Sequence, residues 1–446
     1  MRKTLLVLIL VVAASSIYGQ EKLTLKESIS IALQRNSALI KTKNNLVTSE
    51  AGVKSAYGNF LPDFGVSGGW GWTRIADDGT TQTDFLGNKV ITPSSEVDSR
   101  SFSVRAGGGI TLFDGLANYA NLSKSKNNLE AAKLDISKLK QDIVYLTVSY
   151  YYDIIYKMNL LTVRDDDVKY NQKFLETVQE RNKLGSVAVA DVYAQQVRTG
   201  NAELLRIQAQ NSYENAKNSL LNYLALDVME EYEFIDPLKN KLNTDEYMSE
   251  FDDLSRLVNS AMHKRLDFQS EKLNLESAEE SITIANSGLF PSLTGSYSFS
   301  TNSNTMDDLF NRNVYSAGLS LNIPIFSNWN TEYQIQASKA YHKNVQEDLN
   351  ALERQIKIEV KQGYLDLQAA KKQVDVSSKN VKSAFENRRV NQERYSLGSG
   401  TILDVLQSDK DYQQAVTDNL NSIFQFYLFK DRLQNYLGDL DYKIYE

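Results

Sequence analysis

Cysteine is absent from this 446-residue chain, histidine occurs twice and proline five times. With no cysteine there is no disulfide, no thiolate nucleophile and no lipid-modified cysteine at the N-terminus, so packing alone must hold the chain. The two histidines, His263 and His342, sit in heptad-like helical contexts and read as ordinary surface residues. HExxH and phosphate-loop patterns are also missing, so no catalytic set, cofactor site or metal site assembles. The charge balance is acidic, −7, which argues against a nucleic-acid partner. Beyond the N-terminus no run of about 18 apolar residues appears, so no transmembrane helix is expected.

Residues 1–20 are the exception. Arg2 and Lys3 precede an apolar run from Leu5 to Ala14, followed by small and polar residues up to Gly19. That is the pattern of a secretory signal peptide, with cleavage expected between Ser16 and Gln20. Export removes two positive charges, which takes the net charge from −7 to about −9.

Proline scarcity is positional. Pro62, Pro93, Pro237, Pro291 and Pro324 leave 117–184, 188–224, 328–396 and 402–437 free of the residue that costs a helix interior about 3 kcal/mol. In the first tract Leu129, Ala132, Ile136, Leu139, Ile143, Leu146 and Tyr150 recur at alternating spacings of three and four, the seam of a coiled coil. Val345, Leu349, Leu352 and Ile356, then Gly363, Leu367, Ala370 and Val374, continue the pattern in the third tract. Val416, Leu420, Ile423 and Tyr427 carry it into the fourth. Helices this long reach about 100 Å, and they require a bundle, a rod or a tube.

The sequence is also duplicated. Leu184-Gly185-Ser186 and Asp191-Val192 return as Leu397-Gly398-Ser399 and Asp404-Val405. Leu112-Phe113-Asp114 returns as Ile325-Phe326-Ser327. Leu61-Pro62 returns as Phe290-Pro291, and the first copy carries about 16 extra residues in between. The glycines supply left-handed helix caps, and Asp191 and Asp404 fall where a carboxylate favours a helix N-terminus.

Four segments alternate with period two, at about 62–74, 100–113, 290–301 and 314–326. One face of each is apolar (Phe64, Val66, Trp70 and Trp72 in the first) and the other holds Ser, Gly, Thr, Asn and Arg. This suits a membrane barrel strand, apolar toward lipid and polar toward the lumen. Polar stretches at 75–99 and 301–313 read as exposed hairpin loops. Four strands leave two open edges, which hydrocarbon does not tolerate, so a barrel needs two chains (eight strands) or three (twelve). The competing reading is a soluble periplasmic coiled-coil scaffold with a small sandwich.

Across 22–438, in both copies, the chain resembles the TolC family of outer-membrane efflux proteins. The resemblance is carried by Arg394-Tyr395-Ser396-Leu397-Gly398 and Thr401-Ile402-Leu403-Asp404-Val405-Leu406, by the weaker Leu184-Gly185 to Asp191-Val192, and by the Leu-Pro and Phe-Pro strand entries. It implies a mostly α fold with a membrane β-barrel. Three chains would contribute four strands each to a twelve-stranded barrel in the outer membrane of a Gram-negative bacterium, continued by an α-helical tunnel across the periplasm. The implied division is a signal peptide (1–20), a first repeat (21–225), an equatorial connector (226–252), a second repeat (253–438) and a tail (439–446).

The implied partners are two further copies, outer-membrane lipid, a periplasmic adaptor protein and an inner-membrane pump of the RND or ABC type. The implied function is a passive exit duct for efflux or type I secretion, opened at its tip by the adaptor. By resemblance, Asp404 belongs to an acidic ring at the tunnel entrance. The family's second acidic position is Gln407 here, and Asp409 lies one helical register away. The resemblance also implies that Asp191 and Tyr395 would form a link holding the entrance shut, while Gly400 replaces the arginine of a second link. Leu184, Gly185, Leu397 and Gly398 match the adaptor-docking positions.

Overall fold

The computed structural model describes residues 21–238, 251 and 253–445. The expected signal peptide, positions 239–250 and 252 of the expected connector and the last residue of the expected tail lie outside them. In chain order the elements are β1 (Glu21–Leu23), α1 (Leu25–Arg35), α2 (Ser37–Gly58), β2 (Gly65–Asp77), β3 (Thr80–Thr83), β4 (Lys89–Thr92), β5 (Ser95–Phe113), α3 (Ala117–Lys183) and α4 (Val189–Tyr223). There follow β6 (Tyr232–Phe234), α5 (Leu254–Lys264), α6 (Leu266–Ser287), β7 (Ser292–Ser303), β8 (Asn313–Asn322), α7 (Asn330–Ser396) and α8 (Ile402–Leu437). The proline-free tracts are unbroken helices, and α3 and α7 have 67 residues each.

Compact units do not follow the repeat boundary. Among the described residues, one unit gathers 21–45, 133–238, 251, 253–270 and 350–445, and the other gathers Leu46–Ala132 and Glu271–Leu349. Each therefore takes matching pieces from both copies, as expected when two similar halves pack on each other.

The first unit is helical around a core that includes Ile143, Tyr151, Ile154, Ile155, Leu220, Ile356, Leu367 and Phe426, all fully buried. Its only strands among the described residues, β1 and β6, pair in parallel. Tyr151 ties them to α3. Its hydroxyl lies 2.9 Å from the Leu23 carbonyl and 2.7 Å from the Ile235 carbonyl, and accepts from the Ile235 N–H at 3.1 Å. The coiled-coil seam expected on α7 is buried in this unit at Ile356, Leu367, Ala370 and Val374. On α3 the expected seam is only half right. Ile136 and Ile143 are buried, but Leu146 and Tyr150 are exposed, and Val144, Val148 and Tyr151 are buried in their place. A single stripe of spacing three and four describes a helix with one partner face, whereas α3 buries a wider sector against several neighbours.

The second unit carries one antiparallel sheet in the order β2-β5-β7-β8. β2 and β8 are its edges, so each is hydrogen-bonded on one side only within a single chain. Alternation places Phe64, Val66, Trp70 and Trp72, with Tyr315, Leu319 and Leu321, on an exposed apolar face. The polar stretch 75–99 is not one loop. β2 and β5 stay paired as far as Asp77 and Ser95, and Arg74 forms ion pairs with Glu96 and Asp98 across them. Beyond lies a second hairpin, β3–β4, whose tip is tightened by Asp84 accepting from the Leu86 and Asn88 N–H groups at 2.9 Å. β3 is Thr and Gln throughout, so this stretch shows no apolar–polar alternation although the backbone keeps its ladder. The loop expected at 301–313 is shorter, because β7 continues to Ser303. β8 stops at Asn322, short of 326, because Pro324 has no N–H for the ladder.

Strand-to-helix junctions repeat a backbone device. Gly115 and Leu116 have φ of 68° and 75°, and their counterparts in the second copy, Asn328 and Trp329, have 51° and 62°. Two successive left-handed residues turn the chain sharply from β5 into α3, and again from the segment after β8 into α7. Three of the four are not glycine, so the turn is held against an intrinsic preference for negative φ.

Candidate functional site

The α3–α4 and α7–α8 turns are the same structure built twice. Gly185 (φ 71°) and Gly398 (φ 75°) stand in the left-handed region just past their helices. The Ser186 N–H donates to the Arg181 carbonyl at 2.8 Å and the Gly185 N–H to the Asn182 carbonyl at 2.8 Å. The Ser399 and Gly398 N–H groups repeat this on the Arg394 and Tyr395 carbonyls at 2.9 and 3.1 Å. These paired bonds satisfy carbonyls that a helix end leaves free. No atom lies within 4 Å of where a Cβ would stand at either glycine, so backbone conformation, not space, selects glycine there. Leu184 and Leu397 are each 82% exposed at the turn apices.

Beneath the turns the two hairpins share a small core of Val178, Val192, Tyr395, Ile402 and Val405, with Phe174, Leu175, Val187 and Leu406 against it. Tyr395 and Asp191, singled out from the sequence, are brought together: the Tyr395 hydroxyl donates to Asp191 Oδ2 at 3.1 Å. Burial, then the bond to Asp191 and its charge, push the Tyr395 hydroxyl up to about 12. Arg181 approaches from the first hairpin. Its Nη1 donates to the Tyr395 carbonyl at 3.1 Å and its guanidinium lies 5.0 Å from the Tyr395 ring centre. Gly400 leaves no side chain for a link, and Arg181 supplies an arginine contact from the opposite hairpin.

Asp404 is an exposed helix-capping residue. With Thr401 it forms a reciprocal capping box. The Asp404 N–H donates to Thr401 Oγ1 at 3.2 Å, and Asp404 Oδ2 accepts from the Thr401 N–H at 3.0 Å and hydroxyl at 2.8 Å. Those two bonds hold its carboxyl below the usual carboxylate range. Gln407, one turn on, donates to Asp411 Oδ1 at 2.7 Å. Asp404 and Gln407 both line an open groove of about 850 Å³ flanked by α3, α4 and α8, together with Arg164, Val197, Arg198 and Lys410.

The feature that sequence reasoning missed lies behind this groove. Asp409 does not line the groove. It is 1% exposed, and Arg198 of α4 donates to its Oδ2 from Nη2 at 2.7 Å and Nε at 3.0 Å. The same Nη2 reaches Asp167 of α3, 1% exposed, at 3.0 Å. Arg388 of α7 places Nε 3.3 Å from Asp409 Oδ1, an ion pair whose angle falls short of a hydrogen bond. The Arg388 guanidinium lies 3.6 Å from the Tyr170 ring centre and 4.8 Å from that of Tyr412. Two carboxylates and two guanidiniums thus balance in one buried cluster that joins all four helices. Burial raises the Asp167 carboxyl above the usual carboxylate range, with Arg198 opposing. Burial pulls the Arg198 guanidinium down, but Asp409 and Asp167 outweigh it and the net shift is upward. These residues come from four separate helices, and no local pattern announces them.

Against this geometry, the chain matches the model of the family described as outer membrane efflux protein over residues 28–226 and 257–438. It is 22% identical over 434 residues to the outer membrane protein TolC of Vibrio cholerae, covering 96% of this chain and 90% of that one. It is 22% identical over 363 residues to the protein CyaE of Bordetella pertussis, covering 77% and 75%. Among solved structures, CusC superposes with a TM-score of 0.80 at 16% identity over 95% of each chain. VceC of Vibrio cholerae superposes with a TM-score of 0.77 at 17% identity over 93% of this chain and 96% of that one. The soluble-scaffold reading falls with these matches. A duplicated helical module, an edge-open sheet with an apolar face and capped helix-hairpin turns, matched on both halves, make this chain a member of the outer membrane efflux protein family, a transport protein of the outer membrane and not an enzyme.

Proposed function

We propose that three copies of this chain form a passive exit duct through the outer membrane, opened at the α3–α4 and α7–α8 turns by a periplasmic adaptor that serves an inner-membrane pump. One observation carries the reading: a four-stranded sheet with an apolar outer face and two unpaired edges, β2 and β8. In hydrocarbon each unpaired backbone group costs several kcal/mol, so the edges must meet those of other copies. Three copies give twelve strands. The exposed apolar stripe Tyr193, Val197, Leu204 and Ile207 on α4 supports the same conclusion for the helices, because such a stripe on a solvated helix calls for a neighbour.

The turns are what moves in this reading. Tyr395–Asp191, Arg181–Tyr395 and the Asp167–Arg198–Asp409–Arg388 cluster hold the two hairpins of one chain together, and opening is a two-state shift biased by the adaptor. Leu184, Gly185, Leu397 and Gly398 form the docking knobs. Asp404 from each copy supplies an acidic ring that attracts cations. The cargo is set by the pump.

The test is reconstitution of protein from outer membranes into planar bilayers, alongside a drug-export assay in cells. The proposal requires long-lived conductance steps from a heat-sensitive oligomer, and export that depends on co-expressed adaptor and pump. Protein that inserts only as a monomer, or that never conducts even with the adaptor present, refutes it.

A further inference from the structure

The middle of the four-stranded sheet holds one charged residue. Over 65–71, 101–111, 292–303 and 313–322 every position is uncharged except Arg105 of β5. Arg105 lies on the polar face, between Val104 and Ala106 of the apolar face. Its rung runs Ser67–Arg105–Ser300–Val314 across all four strands. The rungs on either side of it on that face begin Gly65–Gly107–Ser298 and Gly69–Ser103–Asn302. None of these offers a counter-charge, and the glycines leave the long side chain uncovered. Arg105 is exposed and forms no ion pair among the described residues.

Neighbouring charges do not cancel it. Asp63, two rungs away on that face, is roughly 13 Å off and beyond a Debye length of about 8 Å. Its carboxylate accepts from the Gly109 N–H. Arg100, the next charge along β5, falls on the opposite face. Arg74, farther along β2, is neutralised by Glu96 and Asp98.

We infer that Arg105 from each copy forms a cationic ring in the lumen of the assembled barrel, which makes that part of the duct selective for anionic solutes. The inference rests on the proposed multi-chain barrel: rotational symmetry places equivalent Arg105 residues at one level. Polar Ser, Thr, Asn and Gly walls are indifferent to charge, so an unopposed ring there sets the sign of the local potential. Low-dielectric walls focus that potential into the lumen. The ring carries the opposite sign to the Asp404 carboxylates, so barrel and turns discriminate differently. Acidic or phosphorylated solutes are the class that the ring favours on their way out.

Single-channel recordings with inorganic tripolyphosphate added to either side test this. Wild-type channels should be blocked, with block relieved by high salt. Arg105→Lys should keep the block, and Arg105→Gln should weaken it about tenfold or more. The permeability ratio of chloride to potassium in a KCl gradient should fall in the same order, lowest in Arg105→Glu. Conducting channels with equal block in wild type and Arg105→Gln overturn the ring while leaving the barrel standing. Failure of wild-type protein to conduct, with the adaptor reconstituted beside it, overturns the barrel, and the ring with it. Should Arg105→Gln not assemble, wild type still decides, because conducting channels that tripolyphosphate does not block overturn the ring.

Discussion

At the scale of single residues, the buried Asp167–Arg198–Asp409–Arg388 cluster is expected to matter more than any exposed charge. Removing one member of a buried pair leaves an uncompensated charge, at a cost of about 3–5 kcal/mol. Asp409→Asn should therefore loosen the hairpins, read as faster protease cleavage near residues 184–186 and 397–400 and as larger or more frequent conductance openings. Unchanged cleavage and conductance would mean that the cluster does not hold the turns. Tyr395 predicts a pH response. Its hydroxyl is pushed from an ordinary value near 10 up to about 12, so the folded hairpins hold that proton more tightly than the unfolded chain. The stabilisation is complete below about pH 10 and is lost as pH rises through about 12. Tyr395→Phe should remove that alkaline step from the opening profile, and an identical profile in the variant would assign the step elsewhere.

At the scale of elements, the turns separate conformation from contact. Gly398→Val forces an L side chain into a left-handed backbone, at a cost of about 1–2 kcal/mol. Nothing stands near its Cβ position, so the oligomer should persist in the outer membrane while export fails; normal export would remove the docking role. Asp404→Asn weakens the capping box and removes the proposed negative ring, so cation block of the channel should fall, and undiminished block would place the acidic constriction elsewhere. The long helices, the four main strands and the doubled glycine turns are legible in the sequence because proline placement, period-two alternation and a constant repeat offset are local signals. The Tyr395–Asp191 contact is legible only through family resemblance. Asp409 shows the limit of helical register, which does not say which face a neighbouring helix covers. The β3–β4 hairpin hides behind uncharged polar residues, and the exposed Leu146 and Tyr150 show that a heptad count cannot rank several faces of one helix.

At the scale of the whole molecule, duplication gives one chain two similar helical hairpins and two strand pairs, and each compact unit draws on both copies. The first copy is the one with the longer strand pair, extended to Asp77 and Ser95 and followed by β3–β4, and it also carries Arg105. The second copy supplies the sharper turn motif, with Tyr395, Asp404 and the capping box. The copies have thus diverged in different elements. The central claim, that edge strands β2 and β8 close against other copies in the membrane, is tested most directly by site-specific crosslinks between the two edges. In this cysteine-free chain, cysteine in place of Ser67 on β2 can be paired in turn with cysteine in place of Ser316, Gly318, Ser320 or Asn322 on β8, so any disulfide in outer membranes is assignable. The series spans the registers in which the two edges can meet. The account predicts that in at least one pairing the chain, oxidised in situ, runs under denaturing, non-reducing conditions as linked species of up to three chains. Oxidised protein that runs only as a single chain in every pairing would contradict it.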